Sequence, residues 1–187
     1  MIDRRHVLAL LAGSVATPAL AQTPGMSRMT AYAFSFSGLN GGDIRLADYA
    51  GKPIMVVNTA SLCGYTPQYA GLQALWTRYR DRGLVIVGVP SNDFGAQEPK
   101  TEPEIAKFCE TNFGVTFPMT AKQKVVGADA HGLYQWISGE GGEAAAPKWN
   151  FHKYLIDKTG KLVGSWPSRV SPTSPEITKQ VDMMLAG

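Results

Sequence analysis

The chain has 187 residues, a formal net charge of +3, and a composition of 44% hydrophobic and 18% charged residues. That balance gives no basis for binding nucleic acid or an anionic membrane surface, and it excludes a disordered chain. With only two cysteines, Cys63 and Cys109, a disulfide-dense scaffold is excluded as well.

Residues 1–21 follow the order of an export signal. Arg4 and Arg5 open it, an apolar run begins at Val7, and Ala19-Leu20-Ala21 supplies a small-x-small cleavage site. The run is too short to span a bilayer, and a buried N-terminal helix is the alternative. The Arg4-Arg5 pair also fits a twin-arginine signal. The protein is therefore expected to be exported, to the periplasm, with no stable membrane insertion. A flexible lead at 22–29 then precedes one domain at 30–187.

Tyr32, Phe34 and Phe36 alternate with small residues and suggest a strand. A turn at 38–42 (GLNGG) leads to a second strand at 43–46. Residues 53–58 (PIMVVN) read as a fully buried strand. Thr66 as N-cap and Pro67 at the first helical position start a helix. Tyr69, Leu72, Leu75, Trp76 and Tyr79 share its inner face, and Gly83 ends it. Residues 84–89 form another buried strand, 102–111 a helix carrying Cys109, and 129–138 a short helix. Strands at 151–156 and 162–166 are joined by the turn DKTG, and 175–185 closes the chain as a helix. Strand, helix, strand implies a parallel pair, and the final hairpin adds antiparallel strands. This α/β order fits a thioredoxin-like fold: a central mixed sheet flanked by helices, with an N-terminal β-hairpin extension.

Cys63 lies between a buried strand and a helix start, where unpaired N–H groups and the helix dipole favour a thiolate. A thiolate is the nucleophile that opens a peroxide O–O bond, leaving a sulfenic acid. The segment reads Cys63-Gly64-Tyr65-Thr66, so the second cysteine of a disulfide oxidoreductase is missing. A copper carrier would also want a second nearby soft ligand. His6 falls in the signal, and His131 and His152 show no ligand spacing and are expected at the surface. No metal or cofactor is expected.

Residues 58–69 (NTASLCGYTPQY) resemble the nucleophile segment of glutathione peroxidases. Residues 90–99 (PSNDFGAQEP) resemble that family's second motif, and 148–151 (KWNF) with 154–157 (YLID) its third, in the family's order. The resemblance covers roughly residues 30 to 185 and implies a catalytic group of Cys63, Gln97, Trp149 and Asn150. The last three offer donors without a titratable proton, suited to an ionised thiol and a departing oxyanion. The segment around Cys109 resembles the one carrying the resolving cysteine of members that use thioredoxin-like reductants. The implied reaction is reduction of hydrogen peroxide or organic and lipid hydroperoxides. The resulting Cys63–Cys109 disulfide would be reduced by a thioredoxin-like protein or by glutathione. Ser91 stands where many relatives have a third cysteine. Asp93 replaces the usual glutamine and puts a carboxylate near the thiolate. The stretch at 138–147 lacks the longer insertion that tetrameric relatives use for assembly, so the resemblance implies a monomer. Two alternatives share the same residues: a peroxide sensor that relays oxidation, and a non-catalytic module with a structural Cys63–Cys109 disulfide.

Overall fold

The structure, a computed structural model, describes residues 29–186. The export signal read over 1–21 and, but for Met29, the lead at 22–29 lie outside them. Strands β1 (Ser35–Ser37) and β2 (Asp43–Arg45) form an antiparallel hairpin. The main sheet contains β3 (Ile54–Thr59), β4 (Val85–Pro90), β5 (Lys153–Ile156) and β6 (Leu162–Trp166), in the order β4-β3-β5-β6. Four helices accompany it among the described residues: α1 (Gln68–Tyr79), α2 (Glu102–Phe113), α3 (Gly132–Gly141) and α4 (Pro175–Ala186). The α/β order and the mixed sheet agree with the expectation from sequence.

Alternating side chains of the central strands supply two apolar cores. Met55, Val57 and Leu155 face α1, α2 and α4, against Tyr69, Leu72, Ile105, Cys109, Ile177 and Val181. Ile54, Val56, Tyr154 and Ile156 face the hairpin and α3, against Phe36, Leu46, Leu133 and Ile137. Each such side chain stabilises the fold by about 1.5–3 kcal/mol through burial.

The strand expected at Tyr32–Phe36 is shorter than the alternation suggested. Ala31–Ala33 is a 3-10 turn. It is held from the far end of the chain: the Ala31 N–H donates to the Gly160 carbonyl and the Tyr32 hydroxyl to the Lys158 carbonyl. Gly160 has φ 83°, and a Cβ there would come within 2.9 Å of Thr30 and Tyr32, so only glycine admits this approach.

Strand direction decides where the site forms. β3 and β4 are parallel, with Thr59 beside Pro90, so the loops that follow both leave the same end of the sheet. β5 runs antiparallel to β3, with Lys153 beside Val57, so the segment entering β5 begins at that end as well. The three motifs are brought together by one register, at the carboxyl ends of the parallel strands.

Candidate active site

Cys63 is buried, with a relative exposure of 6%, and its Sγ accepts a hydrogen bond from the Tyr65 N–H at 3.4 Å. The loop is folded by Thr66, whose hydroxyl accepts the Cys63 N–H at 3.0 Å and donates to the Ala60 carbonyl at 2.9 Å. Thr66 was expected to cap α1. The helix instead begins at Gln68, after turn bonds from Thr66 N–H to the Cys63 carbonyl and from Gln68 N–H to the Tyr65 carbonyl. The threonine hydroxyl is used one turn earlier, on the nucleophile itself.

The Gln97 loop docks directly on this segment. The Leu62 N–H donates to the Gln97 carbonyl at 3.0 Å. The Asn150 Nδ2 donates to Gln97 Oε1 at 2.9 Å, which leaves the Gln97 amide hydrogens free of that bond. Asn150 is fully buried, and Asn58 in β3 holds its neighbour by donating to the Trp149 carbonyl at 3.0 Å. Phe94 and Trp149 have ring centroids 5.8 Å apart. Gly95 sits between Gln97 and Trp149, since a Cβ there would lie 3.6 Å from Gln97 and 3.7 Å from the Trp149 ring. Two non-glycine residues flank the donors in the left-handed region, Ala96 (φ 52°) and Phe151 (φ 63°). Such conformations persist only where surrounding contacts impose them.

Gln97 and Asn150 thus meet through one hydrogen bond, Trp149 and Gln97 both border Gly95, and the Gln97 backbone is bonded to the Cys63 loop. Cys109 stands apart from them on α2. It is a free thiol, as is Cys63. Burial pushes the Cys109 thiol up to about 11, against the Tyr69 hydroxyl, which lowers it. Cys109 also lines a cleft of about 810 Å³ between the hairpin turn and the end of α2. Asp93 is turned away from sulfur chemistry: its Oδ2 accepts the N–H groups of Val125 at 2.6 Å and Val126 at 3.2 Å.

Other features contradict or extend the sequence reading. His152, expected at the surface, is buried with Nε2 bonded to Ser165 and its ring stacked on Tyr154. Burial, then the charges of Lys153 and Lys148, push it down to about 4. His131 caps α3 by accepting the Leu133 N–H, and it stacks on Phe36. Lys153 is fully buried and donates to the carbonyls of Ser168 and Val170. Glu98 is fully buried and accepts the Ser61 hydroxyl at 2.9 Å. The signal for Glu98 was an acidic residue beside Gln97 inside the second motif, but only the fold shows it to be internal.

Comparison with known proteins agrees with this geometry. The family profile described as "Glutathione peroxidase" matches residues 31–138. The hydroperoxy fatty acid reductase gpx1 of Synechocystis sp. is 44% identical over 164 residues, covering 83% of this chain and 96% of that protein. The glutathione peroxidase-like peroxiredoxin GPX5 of Chlamydomonas reinhardtii is 44% identical over 152 residues, covering 79% and 94%. The crystal structure of Trgpx in apo form superposes with a TM-score of 0.70 at 32% identity, over 86% of this chain and 98% of that one. A thioredoxin-family thiol:disulfide interchange protein from Chlorobium tepidum, 18% identical, shares the fold with a TM-score of 0.61 over 81% and 92%. The family match and the near-complete coverage by its relatives place the chain in the glutathione peroxidase family, as a thiol peroxidase.

Proposed function

We propose that Cys63 is the peroxidatic nucleophile and Cys109 the resolving thiol of a peroxidase reduced by a thioredoxin-like protein. The observation that carries this is the Cys63 loop itself. Its sulfur accepts the Tyr65 amide, and its backbone is bonded to the Gln97 turn, whose side chain is held by Asn150. The Cys63 thiolate attacks one oxygen of the hydroperoxide, the O–O bond breaks, and the alkoxide or hydroxide leaves with a proton as alcohol or water. Donors at Gln97, Trp149 and Asn150 stabilise that developing charge. Cys63 sulfenic acid and the Cys109 thiol then condense to a disulfide and water. A dithiol reductant restores both thiols by exchange, and glutathione is the alternative reductant.

Leu62, next to Cys63 in the chain, is 58% exposed, and Trp149, packed on Phe94, is 39% exposed. That open apolar rim supports organic and lipid hydroperoxides as substrates alongside hydrogen peroxide. The Synechocystis relative's name, a hydroperoxy fatty acid reductase, supports the same class. The arginine pair and cleavage site at residues 4–21 support export to the periplasm, where the reductant is a thioredoxin-like protein of that compartment. The short segment after Ser138 supports a monomer.

The test is turnover of hydrogen peroxide and of a lipid hydroperoxide, with thioredoxin and glutathione compared. Cys63→Ser is expected to abolish reduction. Cys109→Ser is expected to spare one stoichiometric turnover and to leave sulfenic acid on Cys63 by mass spectrometry. Multiple turnover by Cys63→Ser would sink the assignment.

A further inference from the structure

A carboxylate sealed inside a protein is costly unless something compensates it. Glu98 has a relative exposure of 0%, and no cation among the described residues is ion-paired with it. Lys122 comes near, yet its Nζ donates to the backbone carbonyls of Glu98 and Lys100 rather than to the carboxylate. Oε1 is buried with no hydrogen-bond partner. Oε2 accepts the Ser61 hydroxyl, and the Ser61 backbone N–H also favours the carboxylate. Its neighbours explain why that bond matters. Ser61 lies two residues before Cys63, and Glu98 follows Gln97 directly. The Ser61–Glu98 bond therefore lies beside the Leu62–Gln97 backbone bond, so two adjacent residues of one loop grip two adjacent residues of the other. On the far side the Glu98 N–H donates to Asn92 Oδ1 at 2.8 Å. Ala96, directly before Gln97, sits in the left-handed region at φ 52°, a conformation that persists only where surrounding contacts impose it.

We propose that Glu98 is a positioning residue, which locks the Cys63 loop to the Gln97 turn through the hydrogen bond it accepts from Ser61. It acts through Gln97 and touches no substrate. What it fixes is the separation between the nucleophile and its donor, a distance to which a displacement transition state is steeply sensitive. Burial raises the Glu98 carboxyl above its ordinary range, with the Ser61 bonds and the charges of Lys122 and Lys100 opposing. A neutral amide at this position keeps the acceptor oxygen without the buried charge, so the role needs the acceptor rather than the charge.

The proposal rests on Cys63 as nucleophile. Its test is the second-order rate constant for oxidation of reduced protein by hydrogen peroxide, read by stopped flow below each variant's melting temperature. Glu98→Ala and Ser61→Ala are each expected to lower it about tenfold, the effect of losing one buried hydrogen bond at the site. The double variant is expected to be no slower than the slower single one, because both remove the same bond. Glu98→Gln is expected to stay within about twofold of wild type, since its amide oxygen still accepts. If Glu98→Ala does not fold, Ser61→Ala, which removes one oxygen atom, decides the matter. A wild-type rate constant in Ser61→Ala overturns the proposal, as do multiplicative losses in the double variant or a Glu98→Gln as slow as Glu98→Ala. Oxidation at the wild-type rate in Cys63→Ser would instead overturn the nucleophile assignment beneath it.

Discussion

Thr66 shows how much one hydroxyl can organise. Donating to Ala60 and accepting from Cys63, it satisfies two backbone groups in a loop where Ala60, Cys63 and Thr66 are themselves buried. Thr66→Val keeps the shape and removes both bonds, leaving those groups unmet. We expect it to lower stability by about 1–3 kcal/mol and to slow Cys63 oxidation, measured by thermal denaturation and stopped flow on the same samples. Unchanged kinetics would mean the loop needs no such clamp. Cys109 poses the opposite case, a thiol kept unreactive. Burial raises it to about 11 from an ordinary value of 9.0, so at neutral pH it is protonated in the folded chain. A raised folded-state value stabilises the fold below pH 9, and that contribution is lost as pH rises through 11. The unfolding free energy of wild type is therefore expected to fall more steeply across that window than that of Cys109→Ala, by denaturant titration at a series of pH values. Equal slopes would refute the buried thiol.

Among the elements, α2 is the one poised to open. Its start is well made: Pro103 lies in the first turn, and the Glu104 carboxylate accepts the Thr101 N–H at 2.8 Å. Its grip on the core is slight. Only Ile105 and Cys109 are buried along α2, against Tyr69, Leu72, Leu75 and Tyr79 along α1. Its end is the Gly114 cap at φ 58°, preceded by Thr111 and Asn112, weak helix formers that are exposed. If Cys109 bridges Cys63 as proposed, it would leave one of the two buried positions of α2, and the C-terminal half of the helix would unwind at low cost. Hydrogen exchange across residues 104–114 is expected to rise on oxidation while α1 keeps its protection. Equal protection in both redox states would remove the resolving role from Cys109.

At the scale of the whole molecule, Lys153 joins distant parts of the chain. From β5 its Nζ reaches the carbonyls of Ser168 and Val170, and Gln68 at the start of α1 donates to the same Ser168 carbonyl at 2.6 Å. The segment after β6 is thereby tied to both the sheet and the helix behind Cys63. Burial lowers the Lys153 ammonium to about 7 from 10.5. The unfolded chain binds that proton up to pH 10.5 and the folded one only to about 7, so the penalty is full below 7 and fades as pH rises between the two values. The stability difference between wild type and Lys153→Met is expected to move toward wild type as pH increases from 6 to 9, by thermal denaturation. A difference independent of pH would mean the lysine is solvated.

What the sequence determined by itself was local: which runs are buried strands, which face of α1 is apolar, and that Cys63 precedes a helix; Gly83, expected to end α1, instead closes the 3-10 turn Arg80–Arg82 that follows it. Burial periodicity and turn chemistry act over a few residues, and so can be read from a few residues. The three motifs named Cys63, Gln97, Trp149 and Asn150 as one group, and the parallel register of β3 and β4 with the antiparallel entry of β5 brings their segments together. Only the tertiary structure decided the rest. Thr66 leaves the cap for the Cys63 amide, Asp93 turns to Val125, His152 and Lys153 go inside, and Glu98 meets Ser61. Each of these polar groups takes whatever partner the fold carries to it. For Asp93, Lys153 and Glu98 that partner lies between 15 and 37 residues away along the chain, beyond the reach of any local pattern.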